Sequence, residues 1–192
     1  MFLRTVTRYF RQTSKLAATF AQQHVQHKSN LQQRKLMVIK MRGAATKAGG
    51  WINGVNSEIP GHQSNAAALV ANLNTITCRC KMLVDSGRQR HVLWEHCAEQ
   101  ANAWETAIAE VLMPWAQCRY DSAAIAAMRN RLAKLEADME TTLAILPEEI
   151  SNDAYVASSR LLGSYRGLYR SLISYAEQAV SFDWNWCKES RF

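Results

Sequence analysis

Apolar residues recur at alternating three- and four-residue steps along most of this 192-residue chain, and this spacing limits the possible folds. Each run forms one apolar stripe when it is wound at the helical period, whereas the alternation typical of strands is absent over any useful length. Eight glycines and three prolines leave room for long elements. The sequence therefore predicts an all-α fold, an antiparallel bundle of five or six long helices. The stripes are Ala66, Leu69, Leu73, Ile76, Cys80 and Leu83; Trp94, Cys97, Ala101, Trp104, Ile108, Val111, Trp115 and Cys118; Ile125, Met128, Leu132, Leu135, Met139 and Leu146; and Leu161, Tyr165, Leu168, Leu172, Ala176 and Ala179.

Glycine and proline suggest where the helices of the first half end. Residues 3–27 and 31–48 are predicted as basic helices, the second ended by Gly49 and Gly50, and residues 53–63 as a loop. Pro114 lacks a backbone donor, so it is expected to kink or restart the helix around it.

Capping and small residues define the two predicted C-terminal helices. Asp121 or Ser122 is a suitable N-cap for the first, and the second extends over about residues 152–182. In the second helix, small residues repeat every four positions, including Gly163 and Gly167. Glycine inside a helix costs about 1 kcal/mol relative to alanine, so this pair is predicted to form a helix-packing motif that faces another helix at close range.

The charges are divided very unevenly along the chain. Ten Lys and Arg precede the first acidic residue, Glu58, and all sixteen acidic residues follow among thirteen basic ones. The net charge of +7 is thus the sum of a strongly basic segment and a weakly acidic one. We divide the chain into a basic helical arm, residues 1–57, and a helical bundle body, residues 58–192. This asymmetry indicates a polyanionic partner: an anionic membrane surface, a nucleic acid or an import machinery.

The first helix is amphipathic in a way that favours two of these partners. It fits a membrane-surface helix, with its apolar arc turned toward lipid or the bundle. It fits a mitochondrial presequence equally well, because it contains Arg and Ser/Thr, lacks acidic residues and is amphipathic. Nucleic acid is disfavoured as a partner, since no recognised nucleic-acid-binding motif is present. The polar arc consists of Arg4, Arg8, Arg11 and Lys15, and the apolar arc includes Val6, Phe10 and Phe20.

Residue spacing gives no support for catalysis or metal binding. Cys78 and Cys80 are two positions apart and His91 and His96 are five apart, and neither spacing suits a zinc site. A nucleophile elbow, a Gly-rich phosphate loop and an HExxH motif are all missing. We therefore predict a protein that is not an enzyme and has no catalytic residues, cofactor or metal. The odd number of cysteines, five, favours free thiols in a reducing compartment.

The C-terminal segment RLLGSYRGLYRSLISYAEQAVSFDWNWCKESRF resembles the end of the fusaric acid resistance family of bacterial inner-membrane proteins, which includes aromatic-acid exporters. Members end in a helix of the form LLGxxRGLxxxLxxYA and a DWxxWxExRF-like tail, from which Asn185 and Cys187 depart. The start of the chain is similar to the basic segment after the last membrane helix in such proteins. The helix positions are Leu161, Leu162, Gly163, Arg166, Gly167, Leu168, Leu172, Tyr175 and Ala176, and the tail motif is Asp183, Trp184, Glu189, Arg191 and Phe192.

The resemblance implies an accessory cytoplasmic helical domain that assists the assembly or regulation of a membrane exporter. The membrane-spanning segments themselves are not in this sequence, which lacks any run of about 18 apolar residues. The implied partners are an anionic membrane surface or membrane-spanning exporter segments, with a homo-oligomer possible, at the cytoplasmic face of the bacterial inner membrane. The main alternative is an imported mitochondrial helical protein whose first residues, about 25 to 35, are cleaved. A nucleic-acid-binding helical protein is the third hypothesis.

Overall fold

The computed structural model describes residues 1–26, 31–58, 63–86, 90–117, 119–145 and 151–184. Over these ranges the chain forms six α-helices and no strand, so the predicted all-α bundle is confirmed. None of these helices combines the length and the apolar character needed to cross a membrane within the described ranges. The helices are α1 (Phe2–Gln26), α2 (Leu31–Glu58), α3 (Gln63–Asp85), α4 (Arg90–Trp115), α5 (Ser122–Ala144) and α6 (Asn152–Val180).

Side-chain caps begin the last two helices. The Asp121 carboxylate accepts a hydrogen bond from the backbone N–H of Ala123 at 2.9 Å, as predicted for the start of α5. The Ser151 hydroxyl oxygen accepts one from the N–H of Ala154 at 3.2 Å at the start of α6. Each contact satisfies a donor that the first helical turn leaves without an intrahelical partner.

The predicted end of the second helix is wrong. Helix α2 continues through Gly49 and Gly50 and includes residues 53–58, which were expected to form a loop. Ala45 and Ala48 are fully buried just before the glycines, and a Cβ atom on Gly49 would lie only 3.6 Å from the Val70 side chain on α3. Packing against α3 thus outweighs the cost of about 1 kcal/mol for each helical glycine. Residues 59–62 of the expected loop lie outside the described residues.

Pro114 ends α4 and does not kink it. Helix α4 extends one residue beyond the proline, and the Pro114 carbonyl oxygen accepts hydrogen bonds from the N–H groups of Gln117 at 2.9 Å and Arg119 at 3.0 Å. These bonds form the turn that follows the helix. The non-helical backbone lies instead at Cys97, with φ −134° and ψ 27°, so the predicted kink position is wrong.

The helices form a central group of four with a fifth and a sixth laid against it. Side chains from α1, α3, α4 and α6 line a small interior cavity. Helix α2 packs along α1 and α3, and α5 packs along α4 and α6. The largest side chains with almost no exposed surface are aromatic, so the core depends on rings from three of the four central helices. These are Trp104, Tyr9, Tyr165, Tyr169, Tyr175 and Phe10.

The basic N-terminal segment contributes directly to this core. Val6, Phe10 and Phe20 of α1 are 0%, 0% and 4% exposed, and Met41 of α2 is fully buried. Helix α1 packs against both α2 and α4. Of the two orientations predicted for the apolar arc of α1, the structure shows the one toward the bundle. Lipid contact by these residues is therefore excluded in this fold.

Candidate functional site

The basic residues of α1 lie on its outer surface. Arg4, Arg8, Arg11 and Lys15 are all exposed, and they follow one another at three- and four-residue steps. Because that spacing returns to the same side of a helix, the four side chains form a single row opposite the buried arc. The predicted polar arc is therefore confirmed as a geometric feature, while its contact with a membrane stays a prediction.

Helix α2 adds four more exposed basic side chains, on two sides of that helix: Lys35 and Arg42 line a groove with α3, and Lys47 lines one with α1. Lys35, Lys40, Arg42 and Lys47 are exposed on α2, which packs along α1. No acidic residue occurs before Glu58, the last residue of α2, so residues 1–57 supply no carboxylate to neutralise these basic side chains. We call these eight exposed basic residues, with the helix surface between them, the α1–α2 face.

An open groove of about 810 Å³ runs along part of this face. Its basic lining combines the four α1 residues with Lys47 of α2, and its other polar lining is uncharged, including Gln12 and Gln117. The Arg11 Nε–H donates a hydrogen bond to the Ala116 carbonyl oxygen at 3.3 Å, which directs this guanidinium toward the end of α4. Through these basic side chains, the groove can bind several phosphate groups or lie against an extended anionic surface.

Arg34 is the exception among the basic residues of α2, because it is only 2% exposed. Its Nε–H donates to the Thr19 hydroxyl at 3.1 Å, and its Nη2 donates to the Thr19 carbonyl oxygen at 2.6 Å. The guanidinium carbon also lies 4.7 Å from the centroid of the Phe20 ring. Arg34 thus joins α1 to α2 and is not part of the exposed face. A sequence signal existed: Arg34 lies four residues before Val38, on the apolar arc of α2.

A buried carboxylate is a second feature that sequence reasoning missed. Glu105 of α4 is 6% exposed and accepts a hydrogen bond from the buried Tyr165 hydroxyl of α6. Both side chains line the small interior cavity. The signal was again positional, since Glu105 follows Trp104 and precedes Ile108 within an apolar run. This hydrogen bond links α4 to α6 inside the core.

The predicted glycine packing motif is wrong at one position and altered at the other. Among the described residues of other helices, a Cβ atom on Gly163 would meet nothing within 4 Å, so this glycine faces none of them at close range. A Cβ on Gly167 would lie 3.2 Å from the guanidinium of Arg79 on α3. The close neighbour of Gly167 is therefore a long polar side chain and not the backbone ridge of a helix.

The described part of the tail motif has a structural role. The Trp184 indole Nε1–H donates a hydrogen bond to the Ala179 carbonyl oxygen at 2.7 Å. The centroid of the Trp184 ring lies 4.8 Å from that of the Tyr120 ring. The same indole stacks on Phe2, with 6.4 Å between ring centroids. Trp184 therefore joins the end of α6 to the beginning of α1. Asp183 lies beside it in the described residues, whereas Glu189, Arg191 and Phe192 lie outside them.

The cysteine pair is split between the surface and the core. Cys78 is exposed, whereas Cys80 is buried, and burial raises the pKa of the Cys80 thiol from 9.0 to about 12. Burial also raises the pKa of the nearby Tyr9 hydroxyl, which donates to the Leu73 carbonyl oxygen at 2.8 Å. In the part of the chain that the structure describes, no three His, Cys, Asp or Glu side chains gather as a metal site would require.

Comparisons of this chain with models of protein families, with curated proteins and with solved structures give no match. The similarity of the C-terminal segment to the fusaric acid resistance family accordingly stays a prediction. The α1–α2 face is the surface feature on which a functional proposal can be based, because it combines exposure, one sign of charge and extent.

Proposed function

We propose that this protein is an accessory helical domain that binds the anionic surface of a membrane through its α1–α2 face. In this role it assists the assembly or regulation of a membrane exporter, as the C-terminal resemblance implies. Its place is the cytoplasmic face of a bacterial inner membrane, where segments next to membrane helices carry excess Lys and Arg. It performs no chemical reaction and requires no cofactor.

One observation carries this proposal: eight basic side chains are exposed on two adjacent helices that contain no acidic residue before Glu58. A solvated helix surface normally mixes both signs of charge, and the basic residues of the body illustrate this. The Arg129 Nη2 lies 2.6 Å from the Glu177 Oε1, and the Arg170 Nη2 lies 2.5 Å from the Glu136 Oε1. Residues 1–57 contain no carboxylate that could act as such a partner for the α1–α2 face, so an external anion is the natural counterpart.

The expected interaction is reversible and depends on salt. Each basic residue near an anionic bilayer contributes about 1 kcal/mol, and this contribution fades within a Debye length, about 8 Å at physiological ionic strength. The eight residues cannot all approach one flat membrane surface equally closely, so the total binding free energy is less than the sum of eight such contributions. Binding is therefore expected at modest salt, and tethering to membrane helices would strengthen it. Anionic lipid should therefore be required.

The mitochondrial alternative is disfavoured by the position of α1. Cleavage of the first residues, about 25 to 35, would remove a helix whose Val6, Tyr9 and Phe10 are fully buried. A presequence is normally dispensable for the mature fold, whereas α1 belongs to the core of this one. Nucleic acid remains the competing polyanion, and the experiment includes it.

Co-sedimentation with vesicles of phosphatidylcholine, with or without phosphatidylglycerol, tests the proposal. Wild-type protein should bind only the anionic vesicles and should lose affinity as salt rises. Changing Arg4, Arg8, Arg11 and Lys15 to Gln should abolish this binding and leave helix content and melting temperature unchanged. The matched control removes the same charge from exposed residues elsewhere, Arg119, Arg131, Lys134 and Arg160, and should retain most of the binding.

Three outcomes would contradict the proposal. These are equal binding to neutral and anionic vesicles, no binding even at low salt, and equal losses in the two quadruple variants. Tight binding to nucleic acid with a steep salt dependence, and none to vesicles, would replace it with the nucleic-acid hypothesis.

A further inference from the structure

We infer that Leu36 and Ile39 of α2 insert between the acyl chains of an anionic phospholipid bilayer while the surrounding basic side chains hold the lipid headgroups. This inference rests on the proposed function and adds to it the depth and orientation of membrane contact. It assigns α2, and not the more amphipathic α1, as the helix that enters the bilayer.

The two side chains form an exposed apolar pair. Ile39 is 64% exposed and Leu36 is 50% exposed, on a helix that also supplies core residues. They are three positions apart, so their side chains lie next to each other on the outer surface of α2. Neither is needed for the fold in the way that the buried Val38 and Met41 are.

Basic side chains surround this pair on the same helix. Lys35 precedes Leu36, Lys40 follows Ile39, and Arg42 lies three positions beyond Ile39. All three are exposed. Long basic side chains can extend upward to phosphate groups while the aliphatic tips lie deeper, an arrangement typical of helices that lie in the membrane interface.

A groove of about 310 Å³ continues the surface toward α3. Ile39, Val38 and Val84 give it an apolar lining, and Lys35 and Arg42 line it as well. Lys81 and Asp85 also line it as an ion pair, with 2.6 Å between the Lys81 ammonium nitrogen and an Asp85 carboxylate oxygen. Among the described residues no ion pair of Lys35 or Arg42 is seen, and an apolar lining beside these two exposed cations matches a phospholipid, which joins an anionic headgroup to an acyl chain.

Two other occupants fit this surface less well. A second copy of the chain docked about a twofold axis would bring two identical clusters of Lys35, Lys40 and Arg42 into one interface, and like charges at an interface are repulsive. A nucleic acid would satisfy the cations but would leave the aliphatic side chains without an apolar partner. The buried arc of α1 is already occupied by the bundle, so α1 can supply only charge.

Substitution of Ile39 by Ser tests the inference, with Ile145→Ser as the matched control. Ile145 is 74% exposed at the end of α5, in a groove that also includes Glu99 and Asp138, so it should not face an anionic bilayer. The Ile39→Ser variant should bind phosphatidylglycerol vesicles roughly tenfold more weakly than wild type, because one apolar contact with the acyl chains is lost. Ile145→Ser should bind as wild type does.

Insertion depth gives an independent measurement. In Ile39→Trp, the added indole should be quenched by phospholipids brominated on their acyl chains more strongly than the added indole of Ile145→Trp, each measured against wild type. Vesicle binding that persists with no excess quenching and no effect of Ile39→Ser would overturn the inference and leave the proposed function standing. Wild-type protein that binds no anionic vesicle would overturn both, and a dimer that Ile39→Ser converts to a monomer would assign the surface to a second copy instead.

Discussion

The guanidinium group of Arg79 on α3 lies over Gly167 on α6, 3.2 Å from the position that a Cβ atom on this glycine would occupy. For Gly163, four residues earlier on the same helix, no described residue of another helix lies within 4 Å of the equivalent position. The two glycines belong to the same four-residue repeat but have different surroundings. They therefore form a natural pair for separating helix propensity from packing.

We expect Gly163→Ala to raise the free energy of unfolding by about 0.5–1 kcal/mol, since alanine favours the helix and its methyl group would meet no described residue of a neighbouring helix within 4 Å. Gly167→Ala should raise the free energy of unfolding by less, because the Arg79 side chain must move by a few tenths of an ångström to admit the methyl group. Gly167→Leu must displace the guanidinium altogether and should destabilise the protein by roughly 1–3 kcal/mol. Urea denaturation measures all three, and equal gains for both alanine variants would show that Arg79 exerts no steric constraint.

The buried hydrogen bond between Tyr165 and Glu105 predicts strong energetic coupling. Tyr165→Phe removes a donor from a buried carboxylate and should lower the free energy of unfolding by roughly 1–3 kcal/mol. Combining it with Glu105→Leu should cost less than the sum of the two single changes, because both partners are then removed together. A double-mutant cycle in urea checks this, and strictly additive losses would contradict the coupling.

The Cys80 thiol predicts a loss of stability at alkaline pH. In the folded protein burial raises its pKa from 9.0 to about 12, so between these values the unfolded chain binds fewer protons than the folded one. The free energy of unfolding contributed by this group should therefore be fully present below about pH 9 and fall by up to about 1.4 kcal/mol per pH unit above it. Denaturation of Cys80→Ala should show a shallower alkaline decline than wild type. Cys78→Ala, which alters an exposed thiol, should retain the wild-type slope.

Removal of residues 1–26 should prevent stable folding, because it exposes the surfaces of α2 and α4 against which α1 packs. We expect the shortened chain to lose cooperative thermal unfolding, to bind a hydrophobic dye and to self-associate. The full-length variant with Gln at Arg4, Arg8, Arg11 and Lys15 is the control and should unfold as wild type does. A shortened chain that unfolds at the wild-type temperature would favour the cleavable-presequence alternative.

Periodicity and capping determined most of the secondary structure without reference to tertiary contacts. The seam from Leu161 to Ala179 and the Asp121 cap correspond closely to the observed α6 and α5. The polar arc of α1 could also be predicted, because exposed and buried positions alternate with the helical period whichever surface buries them. Local sequence signals predict an element correctly when the interactions that form it join residues only a few positions apart.

Tertiary packing determined the structure at positions where local sequence signals conflicted or gave no indication. Gly49 and Gly50 oppose a helix locally, but burial of Ala45 and Ala48 and contact with Val70 continue α2 through them. Whether the apolar arc of α1 faces lipid or protein is likewise decided by the helices that cover it. The amino-acid sequence alone thus predicted an all-α bundle of five or six helices and a segment with only one sign of charge. Only the tertiary structure showed that Arg34 is buried while Ile39 is exposed, because burial depends on neighbours distant in sequence.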